Sequence, residues 1–362
     1  MSTIRSLAGL LLAALLSTGC QRAASNPFPP MDIHQPFKTH CIGRFLIDLP
    51  EEFHPIPDSI DGLGNAELFY GRDANFQRIY IQVPKQRSPE IEPVLLREDF
   101  NRVVGDREQE LHTKKNDKSG LPMLRAMERI GQSAVMFRRY SNQQIDGYFV
   151  SELHLQVDSV RYVVLKTDVL EADDLRSEEA RLKNLAGKTY AYTDAEAAGP
   201  GFCVNGLALN DQHDEEVGRF YFRSDIHKDM FFEIYSRALA EQDEGLFARV
   251  DRHREGATLE LRMAIHSLRK DRPRVAGMEA EELLDTFKEN GYRMQGFTVE
   301  TRRDNPGHMR PQMKLELTAG GQIPGASDYV DSSLSNDNAL LLWDKVVSSI
   351  RPRPGAVGGE KR

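Results

Sequence analysis

Three cysteines, Cys20, Cys41 and Cys203, are the residues of this 362-residue chain whose side chains could form covalent bonds. Cys41 stands in the stretch THCIGRFLIDLP, just before a run whose apolar residues alternate in the manner of a β-strand. Cys203 opens a second short apolar run, GFCVNGLALN. In an oxidising compartment Cys41 and Cys203 would be a candidate disulfide, and the alternative is two separate buried cysteines.

The segment DQHDEE, residues 211–216, places one histidine among four acidic residues. Carboxylate and imidazole groups so close together could hold a metal ion. The same composition is typical of a solvated hairpin loop between two strands. We favour the loop interpretation and therefore expect no metal.

The sequence contains none of the short catalytic motifs that would indicate an enzyme. Neither GQSAV nor GASDY matches the nucleophile elbow G-x-S-x-G, and both H-E-x-x-H and C-x-x-C are absent. The glycines of DGLGNAELFYG lack the spacing of a dinucleotide- or phosphate-binding loop. We therefore expect no catalytic residues, no cofactor and no enzymatic activity.

The overall composition is that of a globular protein, with 40% hydrophobic and 28% charged residues. The formal net charge is −8. Nothing in the sequence resembles the basic stripe of a nucleic-acid-binding protein, so we expect no nucleic-acid partner.

The N-terminus has the plan of a secretory signal peptide over residues 1–20. Arg5 precedes an apolar run, residues 7–16, which is shorter than the roughly 20 residues that span a membrane. The run ends in STGC, which is similar to a bacterial lipobox, although Ser17 stands where a leucine is usual. One expectation is an outer-membrane lipoprotein lipidated at Cys20, and the other is cleavage within QRAAS to give a free periplasmic protein. Either places the mature protein in the oxidising periplasm.

The remaining chain reads as two similar α+β domains, 39–190 and 200–355, behind a proline-rich tether, 21–38. The first half has predicted strands at ELFYG, RIYIQV, SAVMFRRY, GYFVSELHLQV and RYVVLKTDV, and predicted helices over 93–104 and 171–187. The second half repeats this order and closes with an amphipathic helix over 336–350. It differs by a predicted helix over 278–291, where Leu283, Leu284 and Phe287 have helical spacing. An internal duplication is the simplest interpretation, and antiparallel sheets with flanking helices are the expected architecture.

The stretches CIGRFLIDLP, FCVNGLALN and LLWDKVVSSIRPRPG resemble the immunity proteins that protect bacteria from type VI secretion phospholipase effectors. The resemblance lies in the branch paired with the fourth lipase class, the Tle-cognate immunity family. It covers nearly all of the chain behind the predicted signal peptide. It implies an exported, two-domain α+β inhibitor that binds and occludes a secreted phospholipase, with no catalytic residue to carry over.

Effector contacts in such a protein are expected in long loops, because loops of this length are usually functional or disordered. The first is GGQIPGASDYVDSSLS, 320–335, followed by 54–65 and 302–311. The candidate contact residues are Pro324, Gly325, Asp328, Tyr329, Asp331, Asp58 and Asp61. Membrane contact is expected only through the lipid anchor. The alternative function is an envelope scaffold or assembly lipoprotein without a toxin partner.

Overall fold

The computed structural model of the protein describes residues 26–56, 65–71, 77–84, 96–238, 244–256, 264–302, 307–323 and 328–357. Within these ranges the helices are α1 (Leu96–Thr113), α2 (Leu175–Ala186), α3 (Leu246–Gly256) and α4 (Asn336–Ser349). The strands of the first half are β1 (Phe37–Ile42), β2 (Phe45–Pro50), β3 (Phe53–Pro55), β4 (Ala66–Tyr70), β5 (Gln77–Gln82), β6 (Leu124–Ile130), β7 (Ala134–Tyr140), β8 (Phe149–Gln156), β9 (Tyr162–Thr167) and β10 (Thr189–Ala191). Those of the second half are β11 (Phe202–Val204), β12 (Leu207–Leu209), β13 (Glu215–Ser224), β14 (Met230–Arg237), β15 (His266–Asp271), β16 (Arg274–Val275), β17 (Met278–Glu289), β18 (Tyr292–Thr301), β19 (Gln312–Ala319), β20 (Gly321–Gln322), β21 (Tyr329–Val330) and β22 (Arg351–Pro352).

One antiparallel sheet runs through both halves of the chain. Its strand order is β15-β17-β18-β19-β14-β13-β4-β5-β9-β8-β7-β6. The halves join where β13 pairs with β4, with Glu215 opposite Phe69 and Gly218 opposite Ala66; we call this pairing the seam. The sheet is continuous across the seam, so side chains from both halves pack into one main hydrophobic core. This core contains Leu68 of β4 and Phe220 of β13.

The first apolar run is a hairpin rather than one strand. β1 and β2 pair antiparallel around Gly43 and Arg44, and Gly43 has a φ of +69°. The ring of Phe202 lies 2.9 Å from where a Cβ on Gly43 would stand, so both the turn and the packing favour glycine here. β2 also pairs with β22, so the beginning and the end of the described chain share a small sheet.

The predicted helix over 278–291 is wrong, because this segment forms the strand β17. β17 pairs with β18 over ten residues and with β15 on its other edge. Asn290 and Gly291 both have positive φ, and an Asn-Gly pair is the preferred turn of a two-residue hairpin. The tertiary pairing on both edges therefore overrides the helical preference of the Glu- and Leu-rich sequence.

The closing helix follows the sequence prediction. The Ser335 hydroxyl caps α4 by accepting the backbone N–H of Asn338. The apolar stripe of α4 is buried against β2 and β18, and Trp343 donates from Nε1 to Glu282 Oε2 at 2.7 Å. In the first half, α1 continues to Thr113, beyond the predicted end at 104.

The described part of the predicted tether packs against the fold. Met31 is buried in the main core. Asn26 donates from Nδ2 to the backbone oxygen of Asp331 at 2.6 Å and to Ser333 Oγ at 3.0 Å. Asn26 is therefore held by the second half of the chain, whereas the backbone oxygen of Pro36 accepts from Glu51 in the first half.

Candidate functional site

The seam is closed by a buried ion pair between Arg44 and Glu216. Arg44 lies in the β1–β2 turn, its Nε is 2.8 Å from Glu216 Oε1, and its Nη1 donates to the backbone oxygen of Ala356 at 2.8 Å. His213 donates from Nε2 to Glu216 Oε2 at 2.7 Å. Burial alone would raise the pKa of Glu216, but the His213 hydrogen bond and the Arg44 charge outweigh it and lower that pKa. Glu216 is therefore held as a carboxylate.

The acidic segment 211–216 is the predicted loop between β12 and β13, but it is not solvated as predicted. Asp211 accepts from Lys188 Nζ at 2.6 Å and from the Tyr70 hydroxyl at 3.0 Å. The His213 side chain is fully buried. The loop lies against the sheet because it leads directly into β13, the strand that pairs with β4 at the seam.

Cys41 and Cys203 are joined by a disulfide, with their α-carbons 6.1 Å apart. Both are also buried, in a small cluster with Leu46, Ala195 and Ala208. Two backbone hydrogen bonds between Gly43 and Cys203, of 2.9 and 3.0 Å, bring β1 beside β11. The bond links the hairpin of the first half to the start of the second half.

Arg353 holds the segment where the two predicted domains, 39–190 and 200–355, meet. Its guanidinium is buried and donates to the backbone oxygens of Gly199 and Gly201. The hydroxyl of Tyr190, on β10, donates to the backbone of the same segment at Ala198. Residues 188–201 are therefore an ordered part of the fold rather than a free linker.

His40, on β1, is a buried imidazole beside the ring of Phe222, with ring centroids 4.8 Å apart. Burial, with smaller contributions from the charges of Lys38 and His54, lowers the pKa of His40 to about 3. The ring is therefore neutral at ordinary pH.

Three of the seven candidate loop residues can be placed. Asp331 accepts the backbone N–H of Arg293 on Oδ1 at 2.7 Å, so its carboxylate already has a structural role. Tyr329 stacks on Tyr292 with ring centroids 6.0 Å apart, and Asp328 is exposed. The other candidates, Pro324, Gly325, Asp58 and Asp61, lie outside the described residues.

Four exposed apolar side chains at one end of the first half were not predicted from the sequence. We call them the apolar rim: Leu121, Ile145, Tyr148 and Val169, which are 44%, 42%, 41% and 53% exposed. Leu121 and Ile145 lie in polar segments, and Tyr148 and Val169 lie at the ends of the predicted strands GYFVSELHLQV and RYVVLKTDV, so the residue pattern does not mark the four as one surface. Only the fold brings their loops together.

Hydrogen bonds fix the loops of the apolar rim. The backbone of Asn116 donates to the Leu121 oxygen at 2.9 Å, and its buried side chain donates to the Ile145 oxygen at 2.8 Å. The oxygen of Tyr148 accepts from Ser141, and the neighbouring Phe149 pairs with Leu170. These hydrogen bonds fix the loops that carry the rim residues relative to one another.

Two family models match consecutive parts of the chain. The model of the Tle cognate immunity protein 4 N-terminal domain matches residues 88–198, and that of the C-terminal domain matches residues 197–355. The chain belongs to the Tle cognate immunity protein 4 family. The resemblance found in the sequence and the α+β class are therefore confirmed.

Solved structures of immunity proteins have the same fold. The apo immunity protein TplEi of the type VI secretion system of Pseudomonas aeruginosa is 22% identical, with a TM-score of 0.64 over 90% of this chain and 100% of that chain. A chain of the crystal structure of the Tle4–Tli4 complex is 22% identical, with a TM-score of 0.65 over 90% of this chain and 100% of that chain. TplEi bound to an "L" peptide is 22% identical, with a TM-score of 0.59 over 88% and 98%.

A search of curated proteins gives no match. Among the described helices, none has both the length and the hydropathy that crossing a bilayer requires.

Proposed function

We propose that this protein is an exported immunity protein that binds and occludes a type VI secretion phospholipase effector. The observation that carries the proposal is the consecutive match of both domain models of one immunity family over residues 88–355. The Tle4–Tli4 complex contains a chain with the same fold, together with a second protein. The proposed partner is therefore the cognate phospholipase, bound as a protein.

The apolar rim is the surface that we assign to the effector. A lipase that acts on a bilayer must expose an apolar entrance to its active site, and burying that entrance against apolar side chains is favourable. The rim offers Tyr148, an aromatic anchor of the kind enriched at interfaces. Inhibition by covering an entrance requires no catalytic residue, and we propose no enzymatic activity for the chain.

The loop at Asp328 and Tyr329 is the second proposed contact. The exposed carboxylate of Asp328 would steer encounter with a basic effector face. The Asp331 carboxylate is a weaker candidate, because it accepts from Arg293.

The proposed location is the periplasm. An export signal over residues 1–20 and lipidation of Cys20 remain proposals, because both fall outside the described residues. A Cys20→Ala variant that leaves the membrane fraction would support the anchor, whereas a mature N-terminus after Ala24 would refute it.

The test of function is co-expression with the cognate phospholipase exported to the periplasm. We expect survival only with this protein, and a stable complex on gel filtration. The test variant is Leu121→Ser/Ile145→Ser/Tyr148→Ala, which changes the rim. Its matched control is Leu341→Ser, which removes a 56% exposed apolar side chain on α4, away from the rim. A phospholipase that stays fully active at saturating protein would exclude occlusion and favour the envelope scaffold.

A further inference from the structure

Two histidines and one carboxylate from distant parts of the chain converge next to the seam. They are His213 in the β12–β13 loop, Glu216 at the start of β13, and His308 in the β18–β19 hairpin loop. One potential ligand atom from each lies within 4.8 Å of the other two. The two imidazole rings are edge to face, with centroids 5.4 Å apart.

The hydrogen bonds of His213 show which of its two ring nitrogens can face an ion at this cluster. The side chain of His213 is fully buried, and its Nδ1 has no hydrogen-bond partner among the described residues. Its Nε2 bonds to Glu216. The two ring nitrogens of an imidazole point in nearly opposite directions, so an ion shared with Glu216 would bind His213 Nε2 in place of its proton, and Nδ1 would face away from that ion.

The electrostatics keep the carboxylate ready as a ligand. Arg44 contacts both oxygens of Glu216, at 2.8 and 3.0 Å, and maintains it as an anion. A carboxylate has about four lone-pair sites, so the contacts from Arg44 and His213 leave acceptor capacity. The positive charge of Arg44 lowers the affinity of the cluster for a cation. Arg44 also fixes the orientation of the Glu216 carboxylate, as outer-shell partners do in metal sites, and this favours cation binding.

We propose that His213, Glu216 and His308 bind one Zn²⁺ ion. Two imidazole nitrogens and one carboxylate oxygen are ligands that zinc accepts, whereas Ca²⁺ and Mg²⁺ prefer oxygen ligands alone. Ligand atoms that lie within 4.8 Å of one another need to move together by at most about 1.5 Å to reach the separations of about 3.3 Å that Zn–N bonds of about 2.0 Å impose. Three protein ligands leave a fourth position for a water molecule.

The consequence of this site is a tether between two elements. His308 belongs to the hairpin loop of β18 and β19, whereas Glu216 belongs to the strand that pairs with β4 across the seam. Bound zinc would pin that hairpin loop to the junction of the two halves and stabilise the folded state by mass action. This role is independent of effector binding.

The experiment uses the mature protein purified from the periplasm, treated with EDTA and dialysed. Titration with ZnCl₂ by calorimetry should give one equivalent, and the melting temperature should rise by several degrees in excess zinc. Cobalt substitution should give the visible absorption of a tetrahedral site.

His308→Ala should weaken zinc binding at least thirtyfold and abolish the melting shift, whereas His112→Ala, at an exposed position on α1, should change neither. Circular dichroism checks that His308→Ala is folded. If that variant is unfolded, His308→Gln and the cobalt spectrum of the wild type provide the same test. Absence of zinc binding by the wild type, or unchanged binding in the His308 variants, would overturn the site.

Discussion

Arg44 and Glu216 stand 172 positions apart in the chain, yet their side chains meet at 2.8 Å across the seam. The side chains are only 9% and 7% exposed. The β1–β2 turn is thereby fixed to the first residues of β13.

Removing Arg44 should destabilise the protein strongly. Arg44→Met leaves the Glu216 carboxylate buried without its cation, and we expect a loss of about 3 kcal/mol in the free energy of unfolding. Urea unfolding at pH 7 measures it. Lys183→Met, which breaks the exposed Lys183–Glu128 pair of 2.8 Å, should cost less than about 1 kcal/mol. Equal losses in the two variants would contradict the prediction.

The disulfide should contribute mainly by restricting the unfolded chain. It closes a separation of 162 residues, for which the chain-entropy relation gives about 5 kcal/mol as an upper figure. A Cys41→Ser/Cys203→Ser variant should therefore unfold at lower urea concentration, whereas Cys20→Ala should not. Mass spectrometry of unreduced protein should show the 41–203 link, and two solvent-reactive thiols would refute it.

Stability should fall with acid because of His40. Its folded pKa of about 3 lies below the ordinary histidine value of 6.5, so below pH 6.5 the unfolded chain binds the proton that the folded state excludes. This contribution is complete above pH 6.5 and is lost as the pH falls toward 3. The free energy of unfolding that His40 loses between pH 6.5 and pH 5 amounts to about 2 kcal/mol.

The comparison is wild type against His40→Phe, unfolded in urea at pH 5 and pH 7. The variant should lose less stability on acidification than the wild type, because it has no imidazole at position 40. An identical pH dependence in both proteins would show that His40 does not titrate as described.

The apolar rim should carry much of the binding free energy to the effector. Replacing Tyr148 by alanine should weaken binding by about 2 kcal/mol, roughly thirtyfold, as at interface hot spots. Surface plasmon resonance with the cognate phospholipase measures it, with Leu341→Ser as the matched control. Loss of binding in a Tyr329→Ala variant, with Tyr148→Ala unaffected, would move the contact to the 320–335 loop.

Features with a strong local signal were predictable from the sequence. The apolar stripe of α4, and the placement of Cys41 and Cys203 on short strands, needed only neighbouring residues. The strand β17 was missed because Leu283, Leu284 and Phe287 fit a helix as well as a strand. The Asn290–Gly291 turn was the signal that distinguished them.

The site could not be predicted because its parts are far apart in the chain. The seam pairs β4 with β13, which lies more than 140 positions away in the chain. The sequence of a strand does not specify so distant a pairing partner. The same holds for His308 beside His213, and for the four rim residues, which lie on three separate loops. Such contacts depend on topology, which the residue pattern alone does not specify.

The pairing of β2 with β22 has a consequence for the order of folding. Phe45 lies opposite Pro352, so the first hairpin has its complete set of partners only when the last described strand is present. A chain exported unfolded therefore cannot close this small sheet until its C-terminal end has crossed the membrane. Contacts of such long sequence separation slow folding, because the loop must close before the contacts stabilise it. Loss of the residues after α4 would be felt first at the opposite terminus.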